Sequence, residues 1–208
     1  MASRAIVFDI GGVLEISLDG REPTAAFGEM VARWESRLGI PSGSLLAHLV
    51  RVSRGGLIDT YSIEEWRRDL RTAAGLSESD GAAFETDFWD LYLGTFNEAL
   101  AAHLRSLRPR YRTALLSNSF VDAREKEHAR YGLGDLAELI VYSHEVGIAK
   151  PDRRIYELTC ERLEVRPEEV IFLDDVEAYV AGARDAGMNA ILYRDNAQAI
   201  AAIEGLLA

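Results

Sequence analysis

Polar residues stand at four places in this chain where a short apolar run stops. Asp9 ends "AIVFD", Ser117 ends "YRTALLS", Lys150 closes "YSHEVGIAK", and Asp174 and Asp175 end "EVIFLDD". If the runs are neighbouring strands, Asp9, Asp174 and Asp175 converge as three like charges. Such a cluster is costly unless a cation or Lys150 compensates it. Oxygen ligands without a histidine or thiolate partner favour Mg²⁺. Ser117 and nearby backbone N–H groups offer donors to a phosphate, and Lys150 offers charge to the nucleophile's surroundings and to a transferring phosphoryl group. An aspartate with Mg²⁺, a lysine and hydroxyl donors is equipped for phosphoryl transfer.

These residues need a scaffold that brings strand ends together. The runs at 5–9, 111–117, 137–143 and 169–175, and a weaker one at 189–193, are mostly unalternated, as expected for strands covered on both faces. Helical patterns separate them, at 120–133, in "DRRIYELTCERL", in "YVAGARDAGM" and in "AQAIAAIEGLL". Alternating strands and helices predict an α/β fold, a Rossmann-like three-layer α/β/α parallel sheet. Ligands of open parallel sheets bind beyond the carboxyl ends of the strands. Strands are expected near 5–9, 112–117, 138–142, 170–174 and 189–192.

Residues 22–92 read differently. Phe27, Met30, Val31, Trp34 and Leu38 form a helical stripe, and Leu45, Leu46, Leu49 and Val50 a shorter one. Ser62 followed by Glu65 marks a helix start, with Ile63, Trp66 and Leu70 on one face. Ser77 opens a further helix carrying Phe84, Phe88 and Leu91. The expected division is a core of residues 1–18 and 93–208 and an inserted helical cap of residues 19–92, whose aromatic stripe is the cap's own core.

The chain has 208 residues, of which 48% are hydrophobic, enough to fill a core. A net charge of −11 argues against a nucleic-acid partner. No charged leader and no run of 18 apolar residues occurs, so no membrane partner and a cytoplasmic location are the expectation. Cys160 is the single cysteine, which excludes an intrachain disulfide, and it reads as a buried helical residue.

Four stretches, in order, give the chain a family resemblance. "VFDIGGVL", "LLSNS", "KPDRRIY" and "IFLDDVEAYVAGARDAGM" resemble the four motifs of haloacid dehalogenase superfamily hydrolases, specifically the phosphatase-like subgroup with a helical cap. The resemblance implies Asp9 as the nucleophile that forms an aspartyl phosphate, with Ser117, Asn118 and Lys150 as the phosphate-binding set. It implies Mg²⁺ as cofactor, held by Asp9, the Gly11 carbonyl and Asp175, with Asp174 in support or bound through water. The implied partner is a small phosphorylated metabolite. The oligomeric state is left open.

The sequence departs from this pattern at Gly11. Family phosphatases usually carry an aspartate there, two residues after the nucleophile, to protonate the leaving alcohol and later activate water. Glycine cannot perform that task, and loss of a positioned acid–base group costs roughly 10²–10⁴ in rate. Three readings follow: a weak or atypical phosphatase, a noncatalytic phosphate-binding or interaction protein, and a metal-independent 2-haloacid dehalogenase. A halide needs no proton to leave, but the dehalogenases do not keep the acid pair of "LDDV", so the phosphatase reading leads. Glu15 and Asp19 are nearby acids with the wrong spacing. His48, His103 and His128 read as surface or capping residues, and His144 as one that could approach the pocket. Arg21, Glu22 and Gly55–Gly56 are candidates for the cap side of the pocket.

Overall fold

The computed structural model describes residues 3–16, 23–47, 49, 62–108 and 110–208. Its main sheet contains β1 (Ala5–Phe8), β4 (Arg112–Ser117), β5 (Leu139–Tyr142), β6 (Val170–Asp174) and β7 (Asn189–Leu192), all parallel, in the order β5-β4-β1-β6-β7. These are the five expected strands, within a residue at each end. The chain turns one way from β1 to reach β4 and the other way to reach β6. The crevice beside β1, at the carboxyl ends, is therefore the natural ligand site.

Alternation along β1 decides what each face carries. Ile6 and Phe8 point into one apolar layer with Leu100, Leu104, Ala199 and Ile203, from helices α4 (Glu98–Leu107) and α9 (Asn196–Leu207). Ala5 and Val7 point into the other, with Ile155, Cys160, Val180 and Ala183, from α7 (Arg153–Arg162) and α8 (Glu177–Asp185). Both faces are covered, which is why the strands are continuously apolar. Cys160 is buried in α7 as expected. Gly182 lets α8 approach Pro151, since a Cβ there would sit 2.9 Å from both Pro151 Cβ and its carbonyl oxygen.

The helical cap is inserted after β1. Its described helices are α1 (Pro23–Leu38), α2 (Ile63–Ala74) and α3 (Glu78–Leu93). They enclose a separate cluster of Met30, Val31, Trp34, Trp66, Leu70 and Phe84, with Leu45 and Leu49. Ser62 and Glu65 form the expected capping box, and Ser77 caps α3 by accepting from the Asp80 amide at 3.1 Å. One member of the expected stripe is on the outside: Leu46 is exposed, because Leu45 and Leu49 already occupy the inward face. Val50 and His48 lie outside the described residues.

The sequence pattern did not show the joint between cap and core. A two-stranded antiparallel ribbon, β2 (Glu15–Ile16) with β3 (Thr95–Phe96), joins the outgoing and returning chain. Two residues per strand are too few to show alternation. Asn97 follows immediately and is buried. Its side chain donates to the Val13 carbonyl at 2.9 Å and to Asn196 Oδ1 at 2.8 Å, accepts from Asn196 Nδ2 at 2.9 Å, and caps α4. It thus ties the loop after β1 to the first and last core helices.

Replacing Asn97 by alanine removes a helix cap and leaves buried partners unpaired. The expected cost is about 2–3 kcal/mol in denaturant unfolding of the full chain. A loss below about 0.5 kcal/mol, the level of an ordinary surface change, would show that this tie does not hold the cap's return in place.

Candidate active site

The carboxyl ends of three neighbouring strands bring the expected polar residues together. Asp9 follows β1, with its amide donating to the Leu173 carbonyl of β6 at 2.8 Å. Asp174 ends β6 and Asp175 follows it at the mouth. Their carboxylate oxygens and one from Asp9 lie within 4.8 Å of one another. Lys150 is buried between them, with Nζ 2.8 Å from Asp9 Oδ1 and 2.6 Å from Asp174 Oδ2. Burial alone would lower the Lys150 pKa, but the charges of Asp9 and Asp174 outweigh it and raise it. Burial pushes the Asp9 carboxyl up to about 8, against the pull of Lys150.

Backbone groups hold these side chains still. The Ile10 amide donates to Asp9 Oδ1 at 2.7 Å, and the Val176 amide to Asp174 Oδ1 at 2.8 Å. Asn118 and Lys150 clasp each other: the Lys150 amide donates to Asn118 Oδ1 at 2.8 Å, and Asn118 Nδ2 donates back to the Lys150 carbonyl at 2.9 Å. The Asn118 side chain is therefore engaged in placing Lys150, and what it can offer an anion is its backbone N–H. Ser117 is buried at the end of β4.

The two glycines after Asp9 have different physical duties. Gly12 has φ +76°, and a Cβ there would overlap the Asp175 carboxylate. Only glycine satisfies both conditions. Gly11 has an ordinary backbone, and a Cβ there would meet nothing within 4 Å. The Ile10 carbonyl takes the amides of Val13, Leu14 and Glu15, while the Gly11 carbonyl accepts no backbone hydrogen bond among the described residues.

The haloacid dehalogenase-like hydrolase profile matches residues 3–187. The chain belongs to that family. Bifunctional epoxide hydrolase 2 of Sus scrofa is 30% identical over 229 residues, covering 98% of this chain and 39% of the porcine protein. The chain thus spans about two-fifths of that relative's length. Among solved structures, a predicted HAD-like family hydrolase from Porphyromonas gingivalis aligns with a TM-score of 0.72 at 25% identity, covering 100% of this chain and 98% of the other. A HAD family enzyme from Bacteroides thetaiotaomicron, in complex with magnesium and inorganic phosphate, aligns with a TM-score of 0.71 at 22% identity, covering 93% and 95%. That last likeness is one of fold.

Other expected candidates fall away from the acid cluster. His144, on the short helix α6 (Ser143–Val146), has Nδ1 3.1 Å from Ser119 Oγ, so it braces the loop after Asn118. His103 and His128, expected in surface or capping roles, are half-buried: His103 Nε2 lies 3.7 Å from Glu204 Oε1, and the His128 carbonyl accepts from the Gly132 amide at its helix's end. Asp19, Arg21, Glu22 and Gly55–Gly56 lie outside the described residues.

Behind the site is a second acidic group, made by Glu15, the nearby acid with the wrong spacing, and Glu127, which sequence reasoning passed over. Glu15 is buried in β2, and Glu127 is fully buried in α5 (Ala123–Tyr131), where Tyr142 Oη donates to its Oε2 at 2.6 Å. Oε1 of each glutamate is buried without a partner among the described residues. Burial, then the Glu127 and Asp9 charges, drive the Glu15 pKa far up, and burial pushes Glu127 to about 7. The available signal was the four-residue step from Ala123, also buried, which puts Glu127 on the inward face of a helix that otherwise reads as charged throughout.

Two outcomes follow. Gly11→Ala should change stability little, whereas Gly12→Ala should cost at least about 1–2 kcal/mol from its left-handed backbone, with Asp175 displaced in addition; denaturant midpoints of the two variants decide, and equal midpoints would contradict the assignment. For Glu127, the folded pKa lies above the ordinary 4.5. The folded state then holds a proton that the unfolded state has lost between pH 4.5 and about 7, so the Glu127 contribution to stability falls as pH rises through that window and stays constant above it, while Glu15, raised further, goes on titrating beyond it. Glu127→Gln should flatten this fall in a series of thermal unfolding midpoints and gain on the native protein above pH 7. An unchanged pH profile would show that the Glu127 charge is compensated in the fold.

Proposed function

We propose that this chain is a Mg²⁺-dependent phosphomonoester hydrolase working through an aspartyl phosphate at Asp9, with a small phosphorylated metabolite as substrate. The observation that carries the reading is the meeting of Asp9, Asp174, Asp175 and Lys150 at the carboxyl edge of the sheet. Three carboxylates against one ammonium leave an uncompensated negative charge, and an all-oxygen donor set suits a hard cation. Asp9, Asp175 and the Gly11 carbonyl would hold Mg²⁺, with Asp174 in support. Bound there, the ion would supply charge neutralisation of phosphoryl oxygens. The relative from Bacteroides thetaiotaomicron, whose structure holds magnesium and inorganic phosphate, supports the same reading.

In the reaction, an Asp9 carboxylate oxygen attacks phosphorus, an O–P bond forms, and the ester P–O bond breaks. Lys150, the Ser117 hydroxyl and the Asn118 backbone N–H hold the phosphoryl oxygens. Water then attacks the phosphorus of the aspartyl phosphate, releasing inorganic phosphate and restoring Asp9. The helical cap inserted after β1 would cover the leaving group, which suits a small organic phosphate better than a protein. No side chain at position 11 protonates the leaving oxygen, so the rate depends on how well that oxygen leaves unaided.

The dehalogenase reading has one point in its favour, that a halide needs no proton. It leaves the Asp174–Asp175 pair without a task, and the metal-dependent reading uses both.

A panel of phosphomonoesters assayed with and without Mg²⁺ tests this. Phosphate release should require Mg²⁺, favour aryl and anomeric phosphates over alkyl phosphates, and vanish in Asp9→Asn. Asp175→Asn should weaken Mg²⁺ binding in titration calorimetry. Gly11→Asp, at a position with open space, should accelerate alkyl phosphate turnover most, by up to roughly 10²–10⁴-fold. Metal-independent halide release from 2-haloacids without phosphate release would overturn the proposal.

A further inference from the structure

The opposite edge of the sheet carries a feature that the reaction does not use. Where β1 and β4 begin, an open cavity of about 400 Å³ is lined by Arg4, Arg108, Arg110 and Arg112, together with Tyr111 and a single acid, Glu138. Four guanidinium groups line it beside Glu138, with Glu164 and Glu169 within ion-pair distance of two of them, a local concentration of positive charge in a chain whose net charge is −11. The reacting groups sit at the other ends of these strands, on the order of 15 Å away along strands of four to six residues.

Internal ion pairs account for only part of this charge. Arg112 is 2.9 Å from Glu138 and 3.7 Å from Glu164, and Arg4 is 3.7 Å from Glu169. Arg108 donates to the Asp135 carbonyl, a neutral group. Arg110 lies over the Tyr111 ring, 5.3 Å from its centroid, with Nη2 3.3 Å from the Tyr111 hydroxyl. Neither Arg108 nor Arg110 has a carboxylate partner among the described residues. Arg108 follows the last turn of α4, where a cation compensates the helix's terminal carbonyls. That accounts for one of the four and not for their convergence on one cavity.

We infer that this arginine-lined cavity, at the amino-terminal edge of the sheet, is a binding site for a compact oxyanion of phosphate geometry carrying two or more negative charges. Guanidinium groups are weakly hydrated, and their planar donor forks match phosphate oxygens in pairs. The cavity is in the range that takes a small ligand. Arg108 and Arg110 supply the charge that the protein leaves uncompensated. The inference is independent of the chemistry proposed for Asp9, because the two sites share no residue.

Calorimetric titration tests it on the full chain, dialysed free of divalent cations so that the three carboxylates of the acidic site repel an anion. Pyrophosphate and glycerol phosphate serve as separate probes, and tighter binding of one or the other tells an inorganic anion from a phosphate ester. Binding should weaken as salt is added. Arg108→Gln/Arg110→Gln should lose at least about tenfold in affinity, the scale of one charge-assisted contact. Asp9→Asn should bind as the native protein does. If loss of the Asp135 contact unfolds the double variant, Arg110→Gln alone keeps the test, since among the described residues its guanidinium contacts only the Tyr111 side chain. No binding of either probe at millimolar concentration, equal binding by the arginine variants, or loss of binding in Asp9→Asn would each overturn the inference.

Discussion

A buried ammonium between two buried carboxylates is the interaction on which the carboxyl edge of this sheet depends. Lys150 touches Asp9 on the central strand and Asp174 on its neighbour, and all three are shielded from water. Removing either sign would strand the other in a medium that solvates it poorly. The strand order makes the contact possible, because β1 lies between β4 and β6. The Asn118 clasp then fixes where the lysine backbone crosses the mouth of the crevice. One ammonium cannot balance three carboxylates, and the imbalance is the physical reason for expecting a further cation.

The same edge explains the glycine pair. Gly12 gives up its side chain to the Asp175 carboxylate and adopts a backbone that other residues avoid. Gly11 obeys no such constraint. Its lack of a carboxylate is therefore a chemical difference from the usual family phosphatase, and the backbone does not demand it. This separates the geometry of the loop after Asp9, which a side chain at Gly12 would strain, from the proposed acid–base chemistry, which a side chain at position 11 would alter.

Much of this architecture was legible in the sequence for identifiable reasons. Parallel strands covered on both faces must be apolar throughout, so "AIVF", "TALLS" and "VIFLD" announced themselves, and the residues that end them were the ones to examine. Ser62 with Glu65 marked a helix start because the capping box needs that spacing. The remainder was hidden because it depends on contacts distant in the chain. The β2–β3 ribbon is too short for a periodic signal. Asn97 matters through Val13 and Asn196, and Asn118 through Lys150. Glu127 sits among charged neighbours in "AREKEHARY", and its burial is settled by what packs on the inward face of α5. Leu46 looked like its apolar neighbours, and only the tertiary packing assigns it to solvent.

The central claim, that the acid cluster is a metal-assisted phosphoryl-transfer site centred on Asp9, is tested most directly by a crystal structure of the full chain with Mg²⁺ and a phosphate mimic. The account expects the ion between the Asp9 and Asp175 carboxylates and the Gly11 carbonyl, and the mimic facing the free oxygen of Asp9 with Lys150, Ser117 and the Asn118 amide around it. A mimic bound away from Asp9, or an acid cluster that stays without metal at saturating Mg²⁺, would contradict it.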